Sequence, residues 1–257
     1  MIRAAVHVHT DWSYDGSWDL EALVRELKRR GYGAVFTAEH DRTFDAERWD
    51  RYRAACAVVE GALRIPVCPG IEYSDPDNVV HVPVWGADVP FLGAGRDSAG
   101  LIAEAADAGA VAVLAHPGRK EAWRRLDARS LAALGGVEVW NRKYDGWAPG
   151  AVGTELAAAH SLAPFFGLDF HTERQFFPLA MEIEAVAGAP GAELAAALAA
   201  GRHRPLAFGQ AGTRFLRGPG RGAARAAEGA RRAARPTVRK VRRMRGSGGA
   251  KDGAKRN

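Results

Sequence analysis

The apolar residues of this chain fall into short runs separated by stretches of helical periodicity. Residues 2–9 are short, apolar and rich in β-branched or small side chains, which predicts a strand. Leu20, Leu23, Val24 and Leu27 recur at helical spacing, and Gly31 closes that helix. The same criteria predict strands at 34–37, 65–68, 79–85, 110–115, 136–140, 164–168 and 179–187, and a short last strand at 206–208. Helices are predicted at 45–59, 97–108, 152–160 and 192–200. Strands alternating with helices imply an α/β fold with a parallel sheet, and this many units point to a barrel. No internal repeat is evident.

Composition narrows the class. The chain has 257 residues, 47% hydrophobic and 26% charged, an ordinary globular balance that excludes a fibrous or wholly disordered protein. No apolar run approaches the roughly 18 residues of a membrane span. His7, His9, Asp11 and Asp15 interrupt what would be the apolar region of a signal peptide. Cys56 and Cys68 are too few for a disulfide framework or a thiolate zinc site. The expectation is a soluble, cytoplasmic protein. Charge then divides the chain in two. Residues 214–257 carry 15 Lys and Arg against Glu228 and Asp252, so the net charge of +6 conceals a body of −7 over residues 1–213. The tail is rich in Arg, Gly and Ala, with one aromatic, Phe215, and is expected to be disordered with transient helix at 223–234. Either it attaches to nucleic acid or another polyanion, or it is a solvated extension without a specific role; it lacks the interleaved aromatics that stack on bases.

The polar residues that follow the predicted strands carry the chemistry. His7 and His9 close the first. Glu39, His40 and Asp41 follow the second, and Glu72 the third. His81 lies within the fourth. His116, Asn141, and the pair Asp169 and His171 follow later strands. A parallel α/β barrel builds its site from the C-terminal ends of several strands at once, and six of the eight histidines obey that rule. Residues i and i+2 of a strand face the same side, so His7 and His9 are expected to approach one ion together. Imidazoles and carboxylates suit zinc, iron or manganese. Gathered without cations, such groups would carry a heavy desolvation and repulsion cost. His160, at a helix end, and His203, between arginines in a turn, are assigned to structure.

The motifs HVHT at 7–10, YDG at 14–16, EHD at 39–41, GIE at 70–72, HP at 116–117 and DFH at 169–171 occur in this order. They resemble the polymerase-and-histidinol-phosphatase (PHP) domain, a family of metal-dependent phosphoesterases, over about residues 1–210. The resemblance implies a distorted TIM-like (β/α)7 barrel at residues 1–213, with the basic tail outside it. It implies two or three divalent ions (Zn, Mn or Fe). His7, His9, Glu72 and Asp169 would hold the first, and Glu72 would bridge to a second completed by His81 and His116. Asp15, His40 and His171 would hold a third. Departures from the family pattern are Leu168, where a small residue is more usual, and Glu39 in place of Asp, at a position expected to lie behind the ligands.

Such a cluster is expected to hydrolyse a phosphomonoester, a small phosphorylated metabolite or nucleotide, by a hydroxide between the ions that Glu72 bridges, with Glu72, Asp169 and His171 as catalytic residues. Arg119, Arg142, Lys143 and Asn141 are candidates for holding the substrate, the cations through phosphate contacts. Asp41 and Asn141 are candidates for hydrogen bonds behind the ligands or to substrate, or for caps and turns. Trp12 and Tyr14 either stack on a base or cover the barrel rim. The competing expectations are a phosphodiesterase or exonuclease acting on oligonucleotides, with the tail holding nucleic acid; a non-catalytic polyanion-binding protein on a barrel scaffold; and a hydrolase of carboxyl esters or amides.

Overall fold

The computed structural model describes residues 1–247, and the side chains of residues 1–234. Its elements are, in order, β1 (Ile2–Val8), α1 (Leu20–Arg29), β2 (Ala34–Thr37), β3 (Glu39–His40), α2 (Ala46–Leu63), β4 (Val67–Cys68), β5 (Gly70–Ser74), β6 (His81–Trp85), α3 (Ser98–Asp107), β7 (Val111–Leu114), α4 (Ala128–Ala133), β8 (Gly136–Asn141), α5 (Ala151–Ala159), β9 (Pro164–Gly167), β10 (Leu179–Ile183), α6 (Gly191–Ala199), β11 (His203–Ala207), β12 (Gln210–Ala211), α7 (Thr213–Leu216) and α8 (Gly220–Ser247). Aspartates start four of the helices. The side chains of Asp19, Asp45, Asp97 and Asp127 each accept a first-turn amide of α1, α2, α3 and α4. Leu20, Leu23, Val24 and Leu27 form the buried face of α1, as their spacing predicts.

The strands form two six-stranded sheets, ordered β12-β11-β10-β1-β2-β4 and β3-β5-β6-β7-β8-β9. Pairing is parallel in β1-β2, β2-β4, β3-β5, β7-β8 and β8-β9. It is antiparallel around β6 and along β1-β10-β11-β12. The expected all-parallel sheet is therefore corrected to a mixed one, and the expected closed barrel is not one continuous ladder. Two single residues break the strands: Ala38 separates β2 from β3, and Pro69, which has no amide to donate, separates β4 from β5. The sheets meet on the far side through an isolated bridge between Val8 and Phe170 and through the amides of Leu168 and Phe170, which donate to the carbonyls of Val6 and His7.

The central strands are buried on both faces, which explains their near-continuous apolar sequences. Trp85, Trp140, Tyr52, Phe36, Phe165, Phe166 and Phe170 fill the core. The tail departs from expectation. It is helical from Gly220 to Ser247, and Phe215, Leu216 and Ala224 are buried. Phe215 supplies the reason: its ring lies 5.8 Å from Trp140 and 5.7 Å from Phe208, enough apolar contact to order this stretch on the body. Residues 248–257 of the expected disordered tail lie outside the described residues. No helix among the described residues is long and apolar enough to cross a membrane.

Candidate metal centre

All nine residues of the expected ligand set converge at one end of the sheets. His7 is in β1 and His9 just beyond it. His40 ends β3, Glu72 lies in β5, His116 follows β7, and Asp169 and His171 follow β9. His81 begins its strand, yet it reaches the same end because β6 runs antiparallel to β5, with His81 opposite Ser74. Asp15 comes from the loop between β1 and α1.

The site is centred on Glu72, which is 1% exposed. Its Oε1 lies 3.3 Å from His7 Nε2, 3.1 Å from His81 Nδ1 and 3.1 Å from His116 Nε2. Its Oε2 lies 3.5 Å from His9 Nε2 and 3.1 Å from His40 Nδ1. Asp169 Oδ1 is 3.9 Å from His7 Nε2, 3.8 Å from His9 Nε2 and 3.3 Å from His171 Nδ1. Asp15 bridges His40 and His171, 3.3 and 3.1 Å from their Nε2 atoms. The donor atoms make three compact groups: His7, His9 and Asp169; Glu72, His81 and His116; His9, His40 and His171.

Two features show that these groups suit cations. His7 Nε2, His9 Nε2 and His81 Nδ1, which face Glu72, are buried without a hydrogen-bond partner, which proteins seldom tolerate unless another ligand satisfies them. The other ring nitrogen of His7 is already engaged, at 2.7 Å from Glu138 Oε1. That contact orients the ring so that Nε2 faces Glu72 and Asp169. The second feature is electrostatic. Burial alone would neutralise Glu72, but the surrounding histidines, His7 and His81 foremost, hold its carboxyl well below the usual range. Burial likewise opposes charge on His40, and Asp15 and Glu72 outweigh it, pushing its pKa up to about 10. His9 shifts the other way, because burial and the neighbouring His40 and His171 favour its neutral form, the form that ligates. Divalent cations would replace the protons that otherwise balance the buried carboxylates.

The geometry of the HVHT motif differs from the expected alternation. His7 occupies a bulge with a left-handed φ of 62°, where the β1-β2 register shifts between Val6 and Val8. The two ring centroids lie 5.1 Å apart across that bulge. His116 and Asp169 also have positive φ, 28° and 46°. Three strained backbones among the candidate ligands indicate a site whose geometry the surrounding packing enforces.

Residues behind the ligands complete the arrangement. Glu138 accepts from His7 Nδ1, the His116 amide and Asn141 Nδ2. Glu39 accepts from the Thr10 amide and hydroxyl, from Ser13 and from Tyr52. Ser13 Oγ also lies 3.3 Å from His9 Nδ1. The chain from Glu39 through Ser13 to His9 explains why an acid belongs at position 39, behind the ligands. Glu138 and Ser13 were not legible as site residues. Glu138 did leave a signal, an acid inside an apolar strand, whereas Ser13 sits in a loop without pattern.

The expected substrate-holding residues separate. Lys143 Nζ lies 3.4 Å from Asp169 Oδ1 and 3.1 Å from His171 Nε2, so it stands at the mouth. Burial disfavours its charge, but Asp169 and nearby acids raise its pKa above the ordinary value. Arg119 is at the rim, with Nη1 3.2 Å from His81 Nε2 and donating to the Asn78 carbonyl. Asn141 faces inward: its Nδ2 donates to Glu138 and Asp169 while its Oδ1 accepts from the amides of Lys143 and Tyr144. With those bonds made it orients other groups and has nothing left for a substrate. Arg142 turns away, donating to the Arg174 carbonyl with its guanidinium 4.9 Å from the centre of the Phe177 ring. Asp41 accepts from the amides of Ser74 and Gly95. Trp12 covers the rim, 5.1 Å from Tyr52, whereas the exposed Tyr14 ring stacks on His40 at 5.0 Å. Tyr144 lies over His116 at 4.5 Å.

No protein-family profile matches the chain, and no curated protein matches it in sequence. Solved structures do share its fold. A two-domain protein from Bacteroides vulgatus containing a predicted PHP-like metal-dependent phosphoesterase matches over 80% of this chain and 64% of its own length, at 19% identity and a TM-score of 0.59. The chain thus spans about two-thirds of that protein. PsfC from Pseudomonas syringae matches over 88% of this chain and 100% of its own, at 18% identity and a TM-score of 0.55. The lesion-specific endonuclease EndoQ from Pyrococcus furiosus matches over 72% of this chain and 53% of its own, at 12% identity and a TM-score of 0.50. The fold of this chain is that of the PHP-like phosphoesterases.

Proposed function

We propose that this chain is a PHP-type metal-dependent phosphoesterase that hydrolyses a small phosphomonoester. The observation that carries the proposal is the set of unpartnered, buried imidazole nitrogens facing the carboxylates of Glu72 and Asp169. His7, His9, Glu72 and Asp169 would hold one divalent ion; Glu72, His81 and His116 a second; and Asp15, His40 and His171 a third. Bound there, zinc, manganese or iron would supply a water of lowered pKa and positive charge beside the phosphoryl oxygens. Glu72, central among five imidazoles, sets the spacing of the groups. Asn141 and Glu138 fix the orientations of Asp169 and His7. Lys143 and Arg119 place cations on two sides of the mouth, where a phosphate of a small substrate would sit.

A second reading is hydrolysis of a phosphodiester in an oligonucleotide. It is supported by the exposed Tyr14 and Tyr144 rings at the rim and by the arginine-rich α8 beside the body. A test uses p-nitrophenyl phosphate and bis-(p-nitrophenyl) phosphate with the manganese-, zinc- and iron-loaded protein. The proposal expects turnover of the monoester that falls by about 10³-fold or more in Asp169→Asn and on chelation. Preferential turnover of the diester selects the second reading. No turnover of either ester with metal bound would contradict the proposal and leave the polyanion-binding reading and the carboxyl-ester or amide hydrolase reading.

A further inference from the structure

Outside the site, one contact has no explanation in charge or composition. Glu228 is one of two acids in the basic tail, and in a helix surrounded by arginines it would be expected to face solvent. Instead it is buried, 6% exposed, against the loop of residues 142–150. Its carboxylate accepts the Trp147 amide at 2.9 Å and the guanidinium groups of Arg231 and Arg232, each at 2.6 Å. These donors outweigh burial and hold its pKa down at about 2, so it stays charged. The fit is close: a Cβ on Gly146, whose φ is +80°, would lie 2.5 Å from Glu228 Oε2. The Gly146 carbonyl in turn accepts from Trp140 Nε1.

The same loop serves the metal centre. At its start Asn141 holds Asp169 with Nδ2 and, with Oδ1, the amides of Lys143 and Tyr144. The Lys143 ammonium then faces Asp169 and His171, and the Tyr144 ring lies over His116. A single nine-residue loop, 142–150, is thus pinned at one end by the site and in its middle by α8. We infer that Glu228 is a positioning residue: α8 is a strap whose buried carboxylate holds the loop that presents Lys143 to the substrate phosphate and lays Tyr144 over His116. The inference rests on the phosphoesterase reading for its effect on substrate, but not for its effect on the loop.

The test uses full-length Glu228→Ala and Glu228→Gln, with p-nitrophenyl phosphate as substrate and amide hydrogen exchange of residues 142–149 as an independent readout. In Glu228→Ala the KM is expected to rise about tenfold, with kcat within about threefold and metal content unchanged, because the lost contact orders a binding loop and touches no ligand. Exchange across 142–149 is expected to quicken while β8 stays protected. Glu228→Gln keeps an oxygen for the Trp147 amide and is expected to fall between wild type and Glu228→Ala. Unchanged KM and unchanged loop exchange would overturn the inference. If Glu228→Ala fails to melt cooperatively, Glu228→Gln decides by the same two measurements. If wild type hydrolyses no monoester, the functional reading fails, and loop exchange alone decides whether the strap exists.

Discussion

Asp145 illustrates how the loop at the metal centre stores a pH dependence in one residue. Burial pushes its carboxyl up to about 7, against the Asn141 amide that donates to it, and Glu138 and Glu228 add to the rise. The folded pKa lies above the unfolded value of about 4, so the fold prefers the protonated acid. Its contribution to stability is complete below pH 4 and is lost as pH rises through 7. Asp145→Asn keeps an acceptor for the Asn141 amide and removes the titration. Relative to wild type, the variant is expected to gain on the order of 2 kcal/mol between pH 5 and pH 8, read by denaturant melts at both values. Equal pH dependence in the two proteins would show that Asp145 is not held protonated. At this scale most candidate ligands were readable because they combine a metal-binding side chain with a position at a strand end; Asp15, in the loop before α1, was reached only through the family resemblance. Their strained backbones were not: nothing in the sequence HVHT reveals that His7 adopts a left-handed bulge, since β propensity favours continuing the strand.

At the scale of elements, the close approach of β9 to β8 and β1 sets the site's precision. A Cβ on Gly167 would lie 2.0 Å from Glu138 Oε1 and 3.2 Å from His7 Cβ. The small residue expected just before Asp169 is displaced by one position: Leu168 points into the core, and Gly167 supplies the space. Gly167→Ala is expected to push Glu138 off His7 Nδ1 and weaken manganese or zinc binding by about 10–100-fold, measured by calorimetric titration of the metal-free protein. Wild-type affinity in that variant would mean that Glu138 does not govern His7. Most elements were visible in the sequence because apolar runs bounded by Gly, Pro and Asp mark them. Strand direction was not. The antiparallel β6 follows β5 after only six residues, 75–80, which include a turn at Asp75–Asn78 that strand alternation does not reveal.

The whole molecule joins two parts that composition separates. An acidic body and a basic tail are distinct in charge, so a free extension was the natural expectation. Contact between Phe215 and Trp140 and between Glu228 and Trp147 instead joins the start of the tail to the body. A few buried side chains, Phe215, Leu216, Ala224 and Glu228, dock the start of the tail, whereas composition averages over all 44 of its residues. The broad fold survived that averaging, since the alternation of elements extends along the entire body. Its closure did not, because interruptions such as Ala38 and Pro69 split ladders that periodicity treats as continuous.

If the buried imidazoles and carboxylates meet to hold cations, those cations can be counted. Elemental analysis of the full-length protein, loaded with manganese or zinc and freed of excess metal, should give two to three equivalents per chain. Asp169→Asn should lower that number. Fewer than about half an equivalent in wild type after loading would contradict the account, since structural zinc and comparable sites with complete ligand sets fill under these conditions.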